Sequence, residues 1–313
     1  MTGRITRRRI LVTLAVAIVV AGLLFLNTFR SAPLPAAPPW VGELPFAAPP
    51  PDMQLFHLPT GVTHRSAAFA YRGGSFGDRR DFTMSAALVR HPRGDILIDT
   101  GFGRDIDAHF QQMPRSFRAF TSYERGTPAA DQHDAIGYPR ERLRGILLTH
   151  AHWDHVSGIP DFPGTPVLVT RDEERFITSG DELSAVARGL ADVHYEIYSF
   201  DDGPYLGFPT SHDIHGDGAI VVVPAPGHTP GSVIVFVTLP DRRRHAFVGD
   251  LVWQTEGITD REERPWLQRT LADHDPALVR AQIVHMAAIL AGAPDINLVP
   301  AHDARGFAEL PRL

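Results

Sequence analysis

Apolar residues in this chain fall into short blocks separated by polar punctuation. Ile96-Leu97-Ile98, Ile146-Leu147-Leu148, Val167-Leu168-Val169, Ile220 to Val223, Val233 to Val237, Ala246 to Val248 and Asn297 to Val299 are brief, rich in branched side chains and bounded by Gly, Pro or Asp. That pattern predicts buried strands, whereas Ala281 to Leu290 predicts a helix. Several of the strands run directly into His or Asp, as at Ile98-Asp99, Thr149-His150 and Gly249-Asp250. An α/β domain with its chemistry on loops at strand ends is the expected architecture.

Two N-terminal segments read differently. Ile10 to Leu26 is apolar except for Thr13 and Gly22, and it follows Arg4, Arg7, Arg8 and Arg9. Residues 1–30 therefore predict a signal anchor or a signal peptide, with the uncleaved anchor favoured because prolines crowd the region where a cleavage signal would stand. The run is short for a span, which takes roughly 17–25 helical residues. Thr6 to Leu11 also resembles a twin-arginine export signal. By the positive-inside rule the body lies on the extracytoplasmic face, either anchored or, after cleavage, secreted. Pro33 to Pro59 holds nine prolines. Residues 31–59 are accordingly expected to be an extended tether, and residues 60–313 the catalytic domain.

Composition narrows the chemistry. The chain has 313 residues and no cysteine, which removes disulfides, thiolate metal sites and a cysteine nucleophile. All thirty basic residues are arginine, so lysine Schiff-base chemistry is also removed. The net charge is −6, and without the five arginines of the first thirty residues the remainder stands at −11. An acidic body disfavours nucleic acid as a partner and leaves a small-molecule substrate as the expectation.

The decisive segment is Thr149-His150-Ala151-His152-Trp153-Asp154-His155, four potential ligands just after a buried strand. Imidazole nitrogen and carboxylate oxygen suit zinc and related divalent ions. The segment resembles the HxHxDH signature of the metallo-β-lactamase superfamily. Asp99-Thr100-Gly101, Pro226 to Ser232 around His228, Gly249-Asp250 and Ala301-His302-Asp303 resemble, in order, the family's other motifs. The resemblance implies an αββα sandwich with two metal ions at one edge of the paired sheets. It implies that His150, His152 and His228 hold the first ion, Asp154, His155 and His302 the second, and that Asp250 bridges them. The ions are expected to be zinc, with manganese, cobalt and iron accepted by the same donors.

Two such ions acidify a shared water toward neutrality, giving a bridging hydroxide as nucleophile. By analogy Asp154 orients it and carries its proton to the leaving group. The bridging Asp250 argues against a β-lactamase proper. The 22 residues from His228 to Asp250 resemble the quorum-quenching lactonases, which place a tyrosine where this chain has Trp253. The expected substrate is a small carboxyl ester or lactone, and Trp253 is read either as lining a pocket for an apolar acyl group or as packing in the core. Phosphodiesters, phosphotriesters and thioesters are alternatives on the same metals, and a non-catalytic membrane-tethered binding protein is the alternative of another class. Asp99 is read either as the acceptor that orients a ligand imidazole or as a turn residue. The stretch with Phe110, Phe117, Phe120 and Tyr123 is either an apolar lid or a surface helix packing its rings inward. The remaining histidines, among them His57, His133 and His245, are expected to face solvent or bond locally.

Overall fold

The computed structural model describes residues 2–313. Helix α1 spans Thr2–Asn27. Within it Arg9–Asn27 is long and apolar enough to cross a membrane, and none of it is buried against the rest of the chain. Twelve strands follow: β1 (Gln54–Ser66), β2 (Arg79–Arg90), β3 (Asp95–Ile98), β4 (Glu124–Arg125), β5 (Leu143–Leu147), β6 (Val167–Thr170), β7 (Tyr195–Tyr198), β8 (His212–Asp213), β9 (Ile220–Pro224), β10 (Val233–Thr238), β11 (Arg244–Gly249) and β12 (Ile296–Pro300). Between them lie helices α2 (Ile106–Gln112), α3 (Arg115–Phe120), α4 (Ala129–Ala135), α5 (Trp153–Val156), α6 (Arg171–Thr178), α7 (Ala185–Gly189), α8 (Glu256–Thr259), α9 (Trp266–Ala272) and α10 (Pro276–Gly292).

The strands form a seven-stranded sheet, ordered β4-β1-β2-β3-β5-β6-β7, and a five-stranded sheet, ordered β12-β11-β10-β9-β8. The period-two pattern of β10 shows how they pack. Val233, Val235 and Val237 meet Ile96, Ile98 and Leu147 of the other sheet, while Ile234 and Phe236 point out toward Ile283, Met286 and Ile289 of α10. The far face of the larger sheet is covered in turn, with Trp153, Ile177 and Val186 from α5, α6 and α7 packed against Leu97, Ile146 and Val167. Helix, sheet, sheet and helix are thus stacked in layers. Strand β11 pairs in parallel with β12, and β3 in parallel with β5, so their C-terminal ends open at a common edge of the sandwich.

The proline-rich stretch departs from the expected tether. Strand β1 begins at Gln54, ahead of residue 60, and the stretch before it is pinned to the domain. Leu34 N donates to Arg261 O at 2.8 Å, Trp40 N to Ala288 O at 2.8 Å and Ala48 N to Asp217 O at 2.8 Å. Leu34 and Trp40 pack on the α10 side of the core, and Ala47 and Met53 are buried. Proline removes donors but not carbonyls or apolar area, so an extended segment can still be laid down as a strap.

Several histidines outside the signature are also more buried than expected. His57 bonds Ser85 Oγ at 2.8 Å and His245 bonds Asn297 Nδ2 at 3.1 Å, whereas both ring nitrogens of His133 lack partners and the ring stacks on Tyr138 at 4.4 Å. Burial first, then neighbouring arginines, push His57 down to about 3 and His133 and His245 down to about 4. Each stays neutral in the folded protein but takes up a proton near pH 6.5 once unfolded. Their stability contribution is therefore intact above pH 6.5 and is lost as pH falls toward 4, by up to about 1.4 kcal/mol per pH unit for each ring. Replacing His133 with Phe should remove one such ring's share. Urea unfolding between pH 7.5 and 5 should show the gap between His133→Phe and wild type moving in the variant's favour as pH falls; a constant gap would contradict it.

Candidate metal centre

Five sequence motifs converge on one edge of the sandwich. The loop after β5 brings His150 and His152, and the single turn of α5 brings Asp154 and His155. The β9–β10 turn brings His228, the end of β11 brings Asp250, and the end of β12 brings His302. Gly249 allows the approach of two of these ends. It sits at φ +53°, and a Cβ there would lie 2.9 Å from Thr149 Cβ. All seven side chains are buried.

The donor atoms sort into three overlapping groups: His150, His152 and His228; Asp154, His155 and His302; and His150, His155 and Asp250. Asp250 lies between the first two sets, its Oδ2 3.5 Å from His228 Nε2 and its Oδ1 3.4 Å from His155 Nε2. His302 Nε2 stands 3.0 Å from Asp250 Oδ1 and 3.4 Å from Asp154 Oδ2. Two ligands about 2.1 Å from a tetrahedral ion lie roughly 3.4 Å apart, so this spacing suits donors sharing ions. The test of fit is the satisfaction of these atoms. Nε2 of His150, His152, His155 and His228, and Oδ1 of Asp250, are buried without a hydrogen-bond partner. Five such atoms facing one small volume would be costly unless something accepts their lone pairs, and a divalent cation does so.

Electrostatics favour the ligand form at His150, His152 and Asp250, whereas His155 and His302 are pushed toward the protonated form by the carboxylates around them. Burial holds His150 and His152 well below the usual imidazole range, hence neutral. For Asp250 burial acts upward, but His302 and His155 outweigh it and hold the carboxyl well below its usual range. Burial lowers His155, and Asp99 and Asp154 outweigh it, raising that imidazole.

Groups behind these seven side chains hydrogen-bond to them. Asp99 Oδ2 accepts from His155 Nδ1 at 2.8 Å, and its two oxygens also take Thr149 N at 2.8 Å and Thr149 Oγ1 at 2.7 Å. Asp99 thus bonds the His155 ring from a backbone position at φ +53°. Asp273 Oδ1 accepts from His228 Nδ1 at 3.0 Å and from Arg264 Nη1 at 2.8 Å. Arg264 also donates to the Asp250 carbonyl, and its guanidinium lies 4.6 Å over the Trp253 ring. Trp253 itself donates Nε1–H to Asp250 Oδ2 at 2.8 Å, and its half-buried ring packs edge-on to Phe82. Phe110, Phe117 and Tyr123 pack inward on Trp153, between His152 and Asp154, whereas Phe120 is 86% exposed.

Glu173 escaped the sequence reading. Thr170 to Glu173 matches a capping box, and Thr170 Oγ1 does accept from Glu173 N at 3.1 Å. The Glu173 carboxylate, however, turns away from the helix end. It accepts from Ala151 N at 2.6 Å, Thr229 Oγ1 at 2.6 Å and Gly231 N at 3.0 Å, tying the His150–His152 loop to the His228 loop. Glu173→Ala would strand the Ala151 and Gly231 N–H groups in the interior at about 1–3 kcal/mol each, while Thr229 Oγ1 keeps Ser232 Oγ at 2.7 Å. Urea denaturation should show a loss of at least about 2 kcal/mol, and a loss below about 1 kcal/mol would contradict this role.

Comparison with known proteins shows the family of the chain. The profile of the Metallo-beta-lactamase superfamily matches residues 80–293, and the chain belongs to that superfamily. Over 238 residues, 69% of this chain and 73% of the relative, it is 29% identical to a protein named probable metallo-hydrolase from Mycobacterium tuberculosis. It is 23% identical over 198 residues, 61% of this chain and 73% of the relative, to the N-acyl homoserine lactonase AttM of Rhizobium radiobacter. A solved N-acyl homoserine lactone hydrolase with N-hexanoyl-L-homoserine at its catalytic metal centre shares the fold at a TM-score of 0.65 and 18% identity, covering 83% of this chain and 97% of that one. The dizinc lactonase AidC does so at a TM-score of 0.59 and 17% identity, over 82% and 90%.

Proposed function

We propose that this metal-dependent hydrolase is binuclear and opens small lactones or carboxyl esters, held at a membrane by α1 with its catalytic domain on the extracytoplasmic face. The observation that carries the binuclear reading is the set of five partnerless, buried donor atoms with Asp250 between two histidine clusters. His150, His152 and His228 would hold one ion, Asp154, His155 and His302 the other, and Asp250 both. When bound, two zinc or similar ions supply Lewis acidity toward a carbonyl oxygen and an acidified water.

The chain's own residues do the rest. Asp154 presents a buried carboxylate at the start of α5, where an oxygen can orient water and pass a proton to the leaving oxygen. Trp253 fixes Asp250 through its N–H, and its ring supplies apolar surface beside the site. The lactonase names of AttM and of the solved neighbours support an ester or lactone over a phosphodiester.

A panel of esters, lactones, thioesters and phosphodiesters tests the reading, with acyl length varied. The indole face should make kcat/KM climb up to roughly fourfold per added methylene, because each buried methylene contributes about 0.8 kcal/mol. Trp253→Ala should flatten the climb, and Trp253→Tyr restores a hydroxyl beside the carbonyl. An unchanged length profile in Trp253→Ala would return Trp253 to a purely supporting role. Absence of turnover by metal-loaded protein across the panel would favour the non-catalytic reading.

A further inference from the structure

The apolar helix and the metal site meet on the same hairpin. The tip between β1 and β2, residues 67–78, is fastened to the end of α1. Gly73 N donates to Phe29 O at 2.8 Å, and Arg72 Nε to Arg30 O at 2.9 Å. Gly73 sits at φ +86°, and a Cβ there would come within 2.9 Å of Ser31 Cβ, so the close approach needs glycine. Ala32 N bonds Glu262 Oε2 at 3.0 Å, and Ser31 Oγ bonds the same carboxylate. The domain is therefore mounted directly on the helix end.

Aromatic rings continue the helix's apolar surface onto the tip. Phe25 meets Phe29 at 5.4 Å between centroids, and Phe29 meets Phe69 at 6.0 Å and Phe76 at 5.1 Å. Phe76 is 53% exposed. Arg30 and Arg79 are exposed beside it. Aromatic rings flanked by arginines suit the interfacial layer of a bilayer. The other side of the tip is the wall of the site. Ala67, Ala70 and Tyr71 pack with Phe82 and Trp253, Phe82 stacks at 6.4 Å on His302, and Trp253 holds Asp250.

We propose that the β1–β2 tip is seated in the interfacial layer of the bilayer that α1 enters, and that the metal site receives an amphiphilic acyl lactone or ester from that surface. The seating rests on the membrane reading of α1; the delivery rests in addition on the hydrolase reading. A lipid bilayer is the occupant because the exposed rings continue a helix that is itself apolar and unburied over Arg9–Asn27.

The absence of cysteine makes the test clean, since Phe76→Cys places a single thiol on the full chain. A bimane label there, in phosphatidylcholine–phosphatidylglycerol vesicles, should be quenched by lipids brominated near the headgroup. The same label at Glu182→Cys, an exposed position between α6 and α7 at the opposite edge of the larger sheet, should not be. Phe76→Asp should slow hydrolysis of a dodecanoyl lactone presented in vesicles by about tenfold, the scale of one phenylalanine's burial, while a butanoyl lactone in solution reacts as before. Protein that floats with vesicles while its position-76 label stays as unquenched as position 182 would overturn the seating, and protein that does not float would overturn the anchor and the seating together. Equal effects of Phe76→Asp on both lactones would overturn delivery from the membrane. Quenching at 76 with no hydrolysis of either lactone would overturn the lactone reading and the delivery with it, and would support the seating.

Discussion

Asp250→Ala should lose bound metal and hydrolytic activity together, and His152→Ala should do the same. Asp250 is the only carboxylate within reach of both histidine clusters among the described residues, 3.5 Å from His228 Nε2 and 3.4 Å from His155 Nε2. Removing it leaves His302 and His155 facing one another without the negative charge between them. Any cation in the site then loses a ligand that neutralises it. His152 contributes a nitrogen that burial keeps neutral and that has no other partner. Metal analysis of each purified variant beside wild type checks the expectation, with turnover of the best substrate measured on the same samples. Full metal content in Asp250→Ala would show that the two clusters bind without a bridge.

The second large effect is expected at Asp99, which never touches the metal volume. Its Oδ2 fixes the proton of His155 on Nδ1 and so leaves Nε2 free to coordinate. Asp99→Asn keeps the side-chain shape, and asparagine tolerates the φ of +53° at this turn. An amide NH₂ facing Nδ1 would instead draw the imidazole proton to Nε2, the wrong nitrogen. Affinity for the ion held by Asp154, His155 and His302 should fall about 10–100-fold, as removal of such supporting hydrogen bonds typically does. Chelator competition should therefore resolve one tight and one weakened ion per chain. Two unchanged affinities would make Asp99 a turn residue only.

How much of this was legible in the sequence depended on whether a signal was local. The strands that lead into the proposed ligands were readable because each closes on a short buried apolar run just before the ligand, as Ile146 to Leu148 does before His150. Strands β1 and β2 were not. Strand β1 contains His57, Pro59, His64 and Arg65, and its register slips between Pro59 and Gly61. That bulge shifts the alternation halfway along, so no single period-two pattern survives. The proline-rich strap was misread for a related reason. Its composition describes local stiffness, but carbonyls and backbone N–H groups paired with residues 261 and 288 are long-range contacts.

The same distinction holds at the site. The seven proposed ligands stand in recognisable motifs, but the residues behind them do not. Glu173 lies inside a helix-start pattern that accounts for it without reference to the loops it joins. Asp273 and Arg264 support His228 and Asp250 from segments with no motif of their own. Buried His133 and His245 carry no sequence mark separating them from exposed His64.

The most direct test of the binuclear site is metal content tied to activity in the wild-type chain. Purified protein should contain close to two divalent ions per chain. Stripping them with a chelator should abolish hydrolysis, and restoring zinc, manganese or cobalt should recover it in proportion to occupancy up to two. Metal-free wild type that remains fully active would contradict the account.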